Sequence, residues 1–179
     1  SQIAGEKTVM IIDPTLAFRF IDTYKDFLGT LLNKQEKRHK NPLQYLANGR
    51  DRYMADRTTL DHYRTKHPQA DMEMLDAIAA LRVEYWIDLK DTRSYSVWLN
   101  EKGEAAYAVL GLTERLRDVT QGHTGVAMVA GLMPLQGRWV TDALFQDFVL
   151  LGPNYMRDYG DIYRELRAKR RFSQGPAKA

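Results

Sequence analysis

The stretch Val126-Ala-Met-Val-Ala-Gly-Leu-Met-Pro-Leu-Gln-Gly-Arg-Trp-Val-Thr-Asp142 constrains the fold more than any other part of the chain. Two apolar runs flank Pro134 to Gly137, and so short a connection leaves no room for the dozen or more residues of a parallel crossover. Val126 to Met133 and Arg138 to Asp142 are therefore expected to pair antiparallel, with Trp139 packed beside the final helix. This makes the carboxyl-terminal half a mixture of sheet and helix.

Upstream the pattern is helical. Asp13-Pro14 is a helix start, because Asp accepts from a free first-turn amide while Pro lacks a donor that would go unused there. Leu16, Phe20, Tyr24, Phe27, Leu28 and Leu31 recur at spacings of three and four, which predicts a helix over about 14–32. Asn41-Pro42 restarts a helix carrying Leu43, Leu46, Tyr53 and Met54, with Asn48-Gly49 as a candidate interruption. Thr58 and Asp61 have capping-box spacing, so a short third helix is expected to end before Pro68. Met72, Leu75, Ile78, Ala79, Tyr85, Trp86 and Leu89 predict a further helix over about 68–90.

From Ser94 the period changes. Tyr95 to Leu99 and Ala105 to Leu110 read as a hairpin, with Gly103 supplying a turn conformation that residues with a Cβ resist. Thr113 to Asp118 reads as a short helix and Gly122-His-Thr-Gly125 as a turn. Leu144 to Leu150 fits either a strand or a helical turn, because period cannot decide so short an apolar run. A final helix over about 155–171 turns Tyr159, Ile162, Tyr163 and Leu166 inward. The fold class expected is α+β: an amino-terminal helical assembly, then an antiparallel sheet of hairpins and a carboxyl-terminal helix. One domain over 1–179 is expected, with the helical part at about 13–91, sheet plus terminal helix at about 94–172, and a flexible tail at 173–179.

The 179 residues are 44% hydrophobic and 27% charged, as in an ordinary soluble protein, and the apolar runs fall short of the ~20 residues of a membrane span. Ser1 to Lys7 lacks the features of a secretory signal, and Met10 reads as an alternative natural start. With no cysteine, the chain cannot form disulfides, use a thiol nucleophile or build cysteine-ligated metal sites. A cytoplasmic setting is expected. The net charge of +3 is too small to mark a nucleic-acid binder by itself.

Helices followed by Tyr107-Ala-Val-Leu-Gly-Leu112, then Leu132-Met-Pro-Leu-Gln-Gly-Arg-Trp-Val-Thr-Asp142, then a tyrosine-bearing basic helix, resemble a group of uncharacterised bacterial proteins over most of the chain. In that group the hairpin reads Leu-Pro-Phe, a basic turn, and an apolar pair before Asp-Gly. Here Leu135 stands for the Phe and Ala143 for the Gly. The resemblance implies a bacterial soluble protein and draws attention to Asp142.

Candidate chemistry is sparse. Walker, GxGxxG, GxSxG and kinase signatures are all missing, which removes the common nucleotide-binding and hydrolase classes. His39 lies in a charge run. His62 and His67, five apart, are expected on different helix faces, so no metal site and no cofactor is expected. His123 between Gly122 and Gly125 could gather backbone amides around an anion, though ordinary turn use outweighs this. Asp142 at a strand end is a catalytic candidate beside its simpler use as a turn cap, and Asp142 with His123 would make a small hydrolase or transferase only if they share a cleft. Asp142 with Asp147, and Asp61 with Glu73, are acid pairs that folding would have to bring together.

Basic residues cluster in Lys34, Lys37, Arg38 and Lys40, and again in Arg167, Lys169, Arg170 and Arg171. Both clusters read first as solvated faces and second as phosphate contacts. The leading functional expectation is a non-catalytic interaction or accessory module whose partner is another protein or a second copy. Weak nucleic-acid binding comes next and an unrecognised hydrolase or transferase third. No membrane partner is expected.

Overall fold

The computed structural model describes residues 10–177, and the expectations for residues 1–9 and 178–179 lie outside that range. The described chain divides into two compact units, a helical one over residues 15–81 and a sheet unit made of residues 10–14 and 82–177. The class is α+β.

In the helical unit, α1 (Pro14–Thr30) buries Leu16, Ala17, Phe20, Tyr24, Phe27 and Leu28, the stripe its spacing predicts. After a 3-10 turn at Glu36–Arg38 comes α2 (Pro42–Ala55), where the Asn41 side chain accepts from the Leu43 amide. The Asn48-Gly49 pair does not interrupt it. Gly49 instead lets the α2 backbone meet α1, since a Cβ there would sit 3.0 Å from Leu28 Cβ and O. α3 (Thr59–Lys66) and α4 (Met72–Ala79) complete the unit. The rings of Tyr53 and Tyr63 stand edge-on to Phe27 at 5.0 and 5.3 Å, and the Tyr53 hydroxyl donates to Ile78 O at the end of α4.

The expected capping box is not made. Thr58 makes no side-chain cap, and both its amide and its hydroxyl donate to Asp56 Oδ1 instead. The helix expected over 68–90 is also corrected: it ends at Ala79, and β1 (Arg82–Asp91) follows. Trp86, Ile87, Asp88 and Leu89 are buried in succession, so this strand is covered on both faces and shows no alternation of polar and apolar residues.

The sheet unit contains β2 (Ser96–Asn100), β3 (Ala106–Leu110), the one-turn α5 (Leu116–Val119), β4 (Val126–Leu135), β5 (Arg138–Thr141), β6 (Gln146–Leu150), α6 (Pro153–Ala168) and β7 (Phe172–Ser173). The β2–β3 hairpin and the antiparallel β4–β5 hairpin form as expected, the latter pairing Leu132 with Thr141 through Leu135 with Arg138. Leu144 to Leu150 resolves into the strand β6, antiparallel to β4.

The pairings β1–β2, β2–β3, β3–β5, β5–β4 and β4–β1 close a circuit. With a helical turn between β3 and β4, this is the arrangement of a five-stranded, partly open barrel of the OB type. Side-chain parity agrees with closure. Trp86, Trp98, Tyr107, Val109, Val126, Met128, Ala130 and Leu132 form one interior cluster, and Leu116 of α5 joins it. The opposite parity, Ile87, Leu89, Val97, Leu99, Ala106 and Ala127, faces outward and packs with Tyr163 and Leu166 of α6.

Trp139 is therefore misplaced by the sequence reading. It packs against the barrel's interior cluster, away from α6, with its ring edge-on to Tyr107 at 5.4 Å and its indole N–H donating to Ser173 Oγ. The cause is the parallel β3–β5 pairing, Val109 with Trp139, which no local pattern reveals. Residues 173–177, expected as flexible tail, begin within β7, which pairs parallel with β3; Gln174 O then accepts from Arg138.

These placements give opposite expectations for two tryptophans. Trp98 is wholly buried, so Trp98→Ala should destabilise by ~3–5 kcal/mol in urea unfolding. Half-buried Trp139 should lose clearly less on the same change. Equal losses would contradict the interior and rim positions.

Candidate functional site

Asp88 is the anomaly of the barrel. It follows Trp86 by two residues on β1 and stands across from Trp98 on β2 and Val126 on β4, all three in the interior cluster, so its side chain points inward. It is 0% exposed, and among the described residues neither carboxyl oxygen has a hydrogen-bond partner. The Trp98 indole N–H is likewise buried without an acceptor. Burial, with a smaller contribution from Asp91, pushes the Asp88 carboxyl up to about 8, so at neutral pH it is mainly the uncharged acid. Leaving such groups unpaired costs about 1–3 kcal/mol each. A position this unfavourable is a candidate functional position on physical grounds.

The same cross-strand row ends on an exposed edge. Val126 pairs on its other side with Leu150 of β6, so the row runs Trp98, Asp88, Val126, Leu150. Among the described residues β6 pairs only with β4, leaving its far edge without a strand. Phe148, Val149 and Leu150 are 49%, 51% and 64% exposed, as is Tyr155 at 64% in the first turn of α6. Exposed apolar side chains thus lie on both faces of one free strand. Natural edge strands usually carry charges or prolines there, and Asp147 is the one charge on β6.

Asp142, the sequence candidate, is buried and structural. Its Oδ1 accepts from the amides of Gly131 and Leu144, at 3.0 and 3.1 Å, and its own amide donates to Gly131 O. It fixes the corner where β5 gives way to β6, in the capping role weighed from sequence. Gly131 is required opposite, since a Cβ there would lie 2.4 Å from the Asp142 carboxyl. His123 is exposed in the turn before β4, whereas Asp142 sits beside Gly131, five residues into that strand. The two are not brought together. Asp147 is exposed on β6 and does not share the Asp142 corner.

Lys34, Lys37, Arg38 and Lys40 are exposed around the 3-10 turn of the helical unit. Arg167, Lys169, Arg170 and Arg171 are exposed at the end of α6 in the sheet unit, with the Arg167 guanidinium over the Tyr163 and Phe172 rings. His62 and His67 line one cavity of about 280 Å³ with Tyr63 and Lys66. His67 stacks on the Tyr63 ring at 4.1 Å, and burial, together with the hydrogen bond that the Tyr63 hydroxyl donates to Asp26, raises the phenol above its ordinary range. No group of three metal-ligating side chains occurs among the described residues. Nor is any described helix long and apolar enough to cross a membrane.

No family model, no curated protein and no solved structure matches this chain.

Two of these placements are open to direct measurement. Asp142→Ala removes both accepted hydrogen bonds and should destabilise by about 2–4 kcal/mol in urea, with no need to invoke any activity. Asp88 ionises at higher pH in the folded chain than in the unfolded one. Its contribution to stability is therefore complete below about 3.8 and is lost as pH rises towards about 8. Asp88→Asn should flatten that slope and raise the urea midpoint at pH 8. A slope unchanged by the substitution would place its origin elsewhere.

Proposed function

We propose that this chain is a non-catalytic protein-interaction or accessory module that takes up an extended segment of a partner protein along the free edge of β6. A bacterial, cytoplasmic setting belongs to the same proposal and rests on the sequence alone. The observation that carries it is the far edge of β6, on which no described strand lies, with Phe148, Val149 and Leu150 exposed. An added strand would supply the missing main-chain hydrogen bonds and cover these side chains in alternation.

The size of the patch favours a peptide segment over a second copy. Four side chains about half exposed amount to on the order of 400 Å². Self-association would bury about twice that in total, short of the ~1,200 Å² where stable interfaces begin. One strand needs less. Asp147, the only charge on β6, favours a basic residue across from it in the incoming segment.

Selection of a phage-displayed heptapeptide library on the intact protein tests this. Apolar, β-branched or aromatic peptides with a basic residue should be enriched and, once synthesised, should bind with Kd on the order of micromolar. Phe148→Asp with Leu150→Asp should weaken them at least about tenfold without lowering the urea midpoint. Binding unaffected by the double substitution would overturn the proposal. So would a stable dimer in light scattering, which would make the occupant a second copy.

A second reading, weak nucleic-acid binding, draws on the barrel type, which binds oligonucleotides on many members. Its weakness is that α6 covers the outer face of β1 to β3. If it holds, affinity for a single-stranded oligonucleotide should fall steeply with salt. Replacing Arg167, Lys169, Arg170 and Arg171 with Ala should then weaken every sequence alike. No binding at low salt, or full binding by that variant, sinks it.

A further inference from the structure

Asp88 stands where three parts of the sheet unit are joined. Its backbone carbonyl accepts from the Gly125 amide at 2.8 Å, and the Gly125 carbonyl accepts from the Leu151 amide at 2.7 Å. One hydrogen-bonded line thus runs from β1 through the turn before β4 to the junction of β6 and α6. The turn also anchors α5, which plugs the barrel through Leu116 in the interior cluster: Thr120, buried, donates its hydroxyl to His123 O and Leu116 O. The β1–β2 register breaks between Asp88 and Lys90, so the strand carries a bulge at this position and can bend here at little loss of pairing.

We propose that Asp88 is a proton-operated latch on the plugged end of the barrel: the protonated side chain lets β1 hold the turn and the α5 plug in place, and loss of the proton releases them. Among the described residues a carboxylate formed inside the apolar cluster has no cation beside it, and Asp88 accepts no hydrogen bond from the Trp98 indole N–H across the strand or from any other donor. The least costly relief is to open the bulge and admit water, which breaks the bond to Gly125 and with it the line to Leu151.

The surrounding charges leave Asp88 alone in this role. On its own strand Asp91 is partly exposed and accepts from Ser96 Oγ, so it adds negative charge, while Lys90 points outward over the Tyr163 ring. The neighbours from β2 and β4, Trp98 and Val126, do not titrate. On α5 and its flanks Arg115, Arg117 and Asp118 are exposed, with Arg115 paired to Asp118, and His123 is exposed on the turn. Met156 of α6, the side chain against Gly125, is uncharged. The inward carboxyl is pushed up to about 8, which puts release on the alkaline side of neutrality.

The intact protein tests this without any ligand. Tryptic cleavage after Arg115 and Arg117, followed by mass spectrometry from pH 7 to pH 9, should rise about tenfold more in the wild type than in Asp88→Asn, which has no proton to lose. The variant also corrects for the protease's own pH dependence. Difference infrared spectra of the wild type give an independent reading that needs no variant to fold: a protonated carboxyl band should disappear near pH 8, in step with the cleavage. The latch is overturned if that band is absent at pH 7, or if it titrates while the α5 segment stays protected. Peptide binding to β6 plays no part in either measurement, so the two proposals stand or fall separately.

Discussion

Everything in the sheet unit depends on β1 being paired along both edges. With β2 on one side and β4 on the other, the strand turns what would be an open meander into a closed circuit. Closure then fixes the fate of every side chain on β1. Trp86 goes into the barrel, where its indole N–H finds the Ala130 carbonyl, and Ile87 goes out beneath α6. Asp88 inherits the inward direction from the same alternation. Its isolation is thus a consequence of register, since moving the strand by one residue would place Ile87 and Leu89 inside and strip α6 of its seat.

The sequence is informative where a pattern is local. The Pro14 helix and the two hairpins follow from caps, spacing and turn residues that lie within a few positions of one another. The reading of Asp142 as a corner cap had the same local basis. It fails for β1 because a strand buried on both faces lacks alternation, and Met72 to Leu89 happens to extend a helical stripe across the Leu81–Arg82 junction. Local pattern places Trp139 beside the wrong neighbour, because its position is set by the β3–β5 seam, a parallel pairing between segments far apart in sequence. Asp88 carried a faint signal, a single acid between Ile87 and Leu89 in an apolar run, but it gained meaning only once the run proved to be a doubly paired strand.

Barrels of this architecture commonly present the outer face of their second and third strands to ligands. Here that face is occupied by the chain's own carboxyl-terminal helix, through Tyr163 and Leu166. Architecture therefore does not carry function across by itself. What remains is β6, a strand that leaves the circuit after the Asp142 corner and continues along β4 with no described strand on its outer side. The buried acid and the exposed edge share one cross-strand row, so the least comfortable residue inside the unit and its stickiest surface are separated by Val126 alone.

The pairing of β7 with β3 also bears on how such a chain is made. Phe172 and Ser173 occupy the stretch of β3 edge, at Ala106 and Tyr107, that β5 leaves open. During synthesis β1 to β5 can assemble while that seam is still bare, because the segment that fills it follows them along the chain. A nascent chain would carry an unfilled strand site until β7 has emerged, and a product cut short before Phe172 would keep it, ready to accept the same segment from a neighbouring chain.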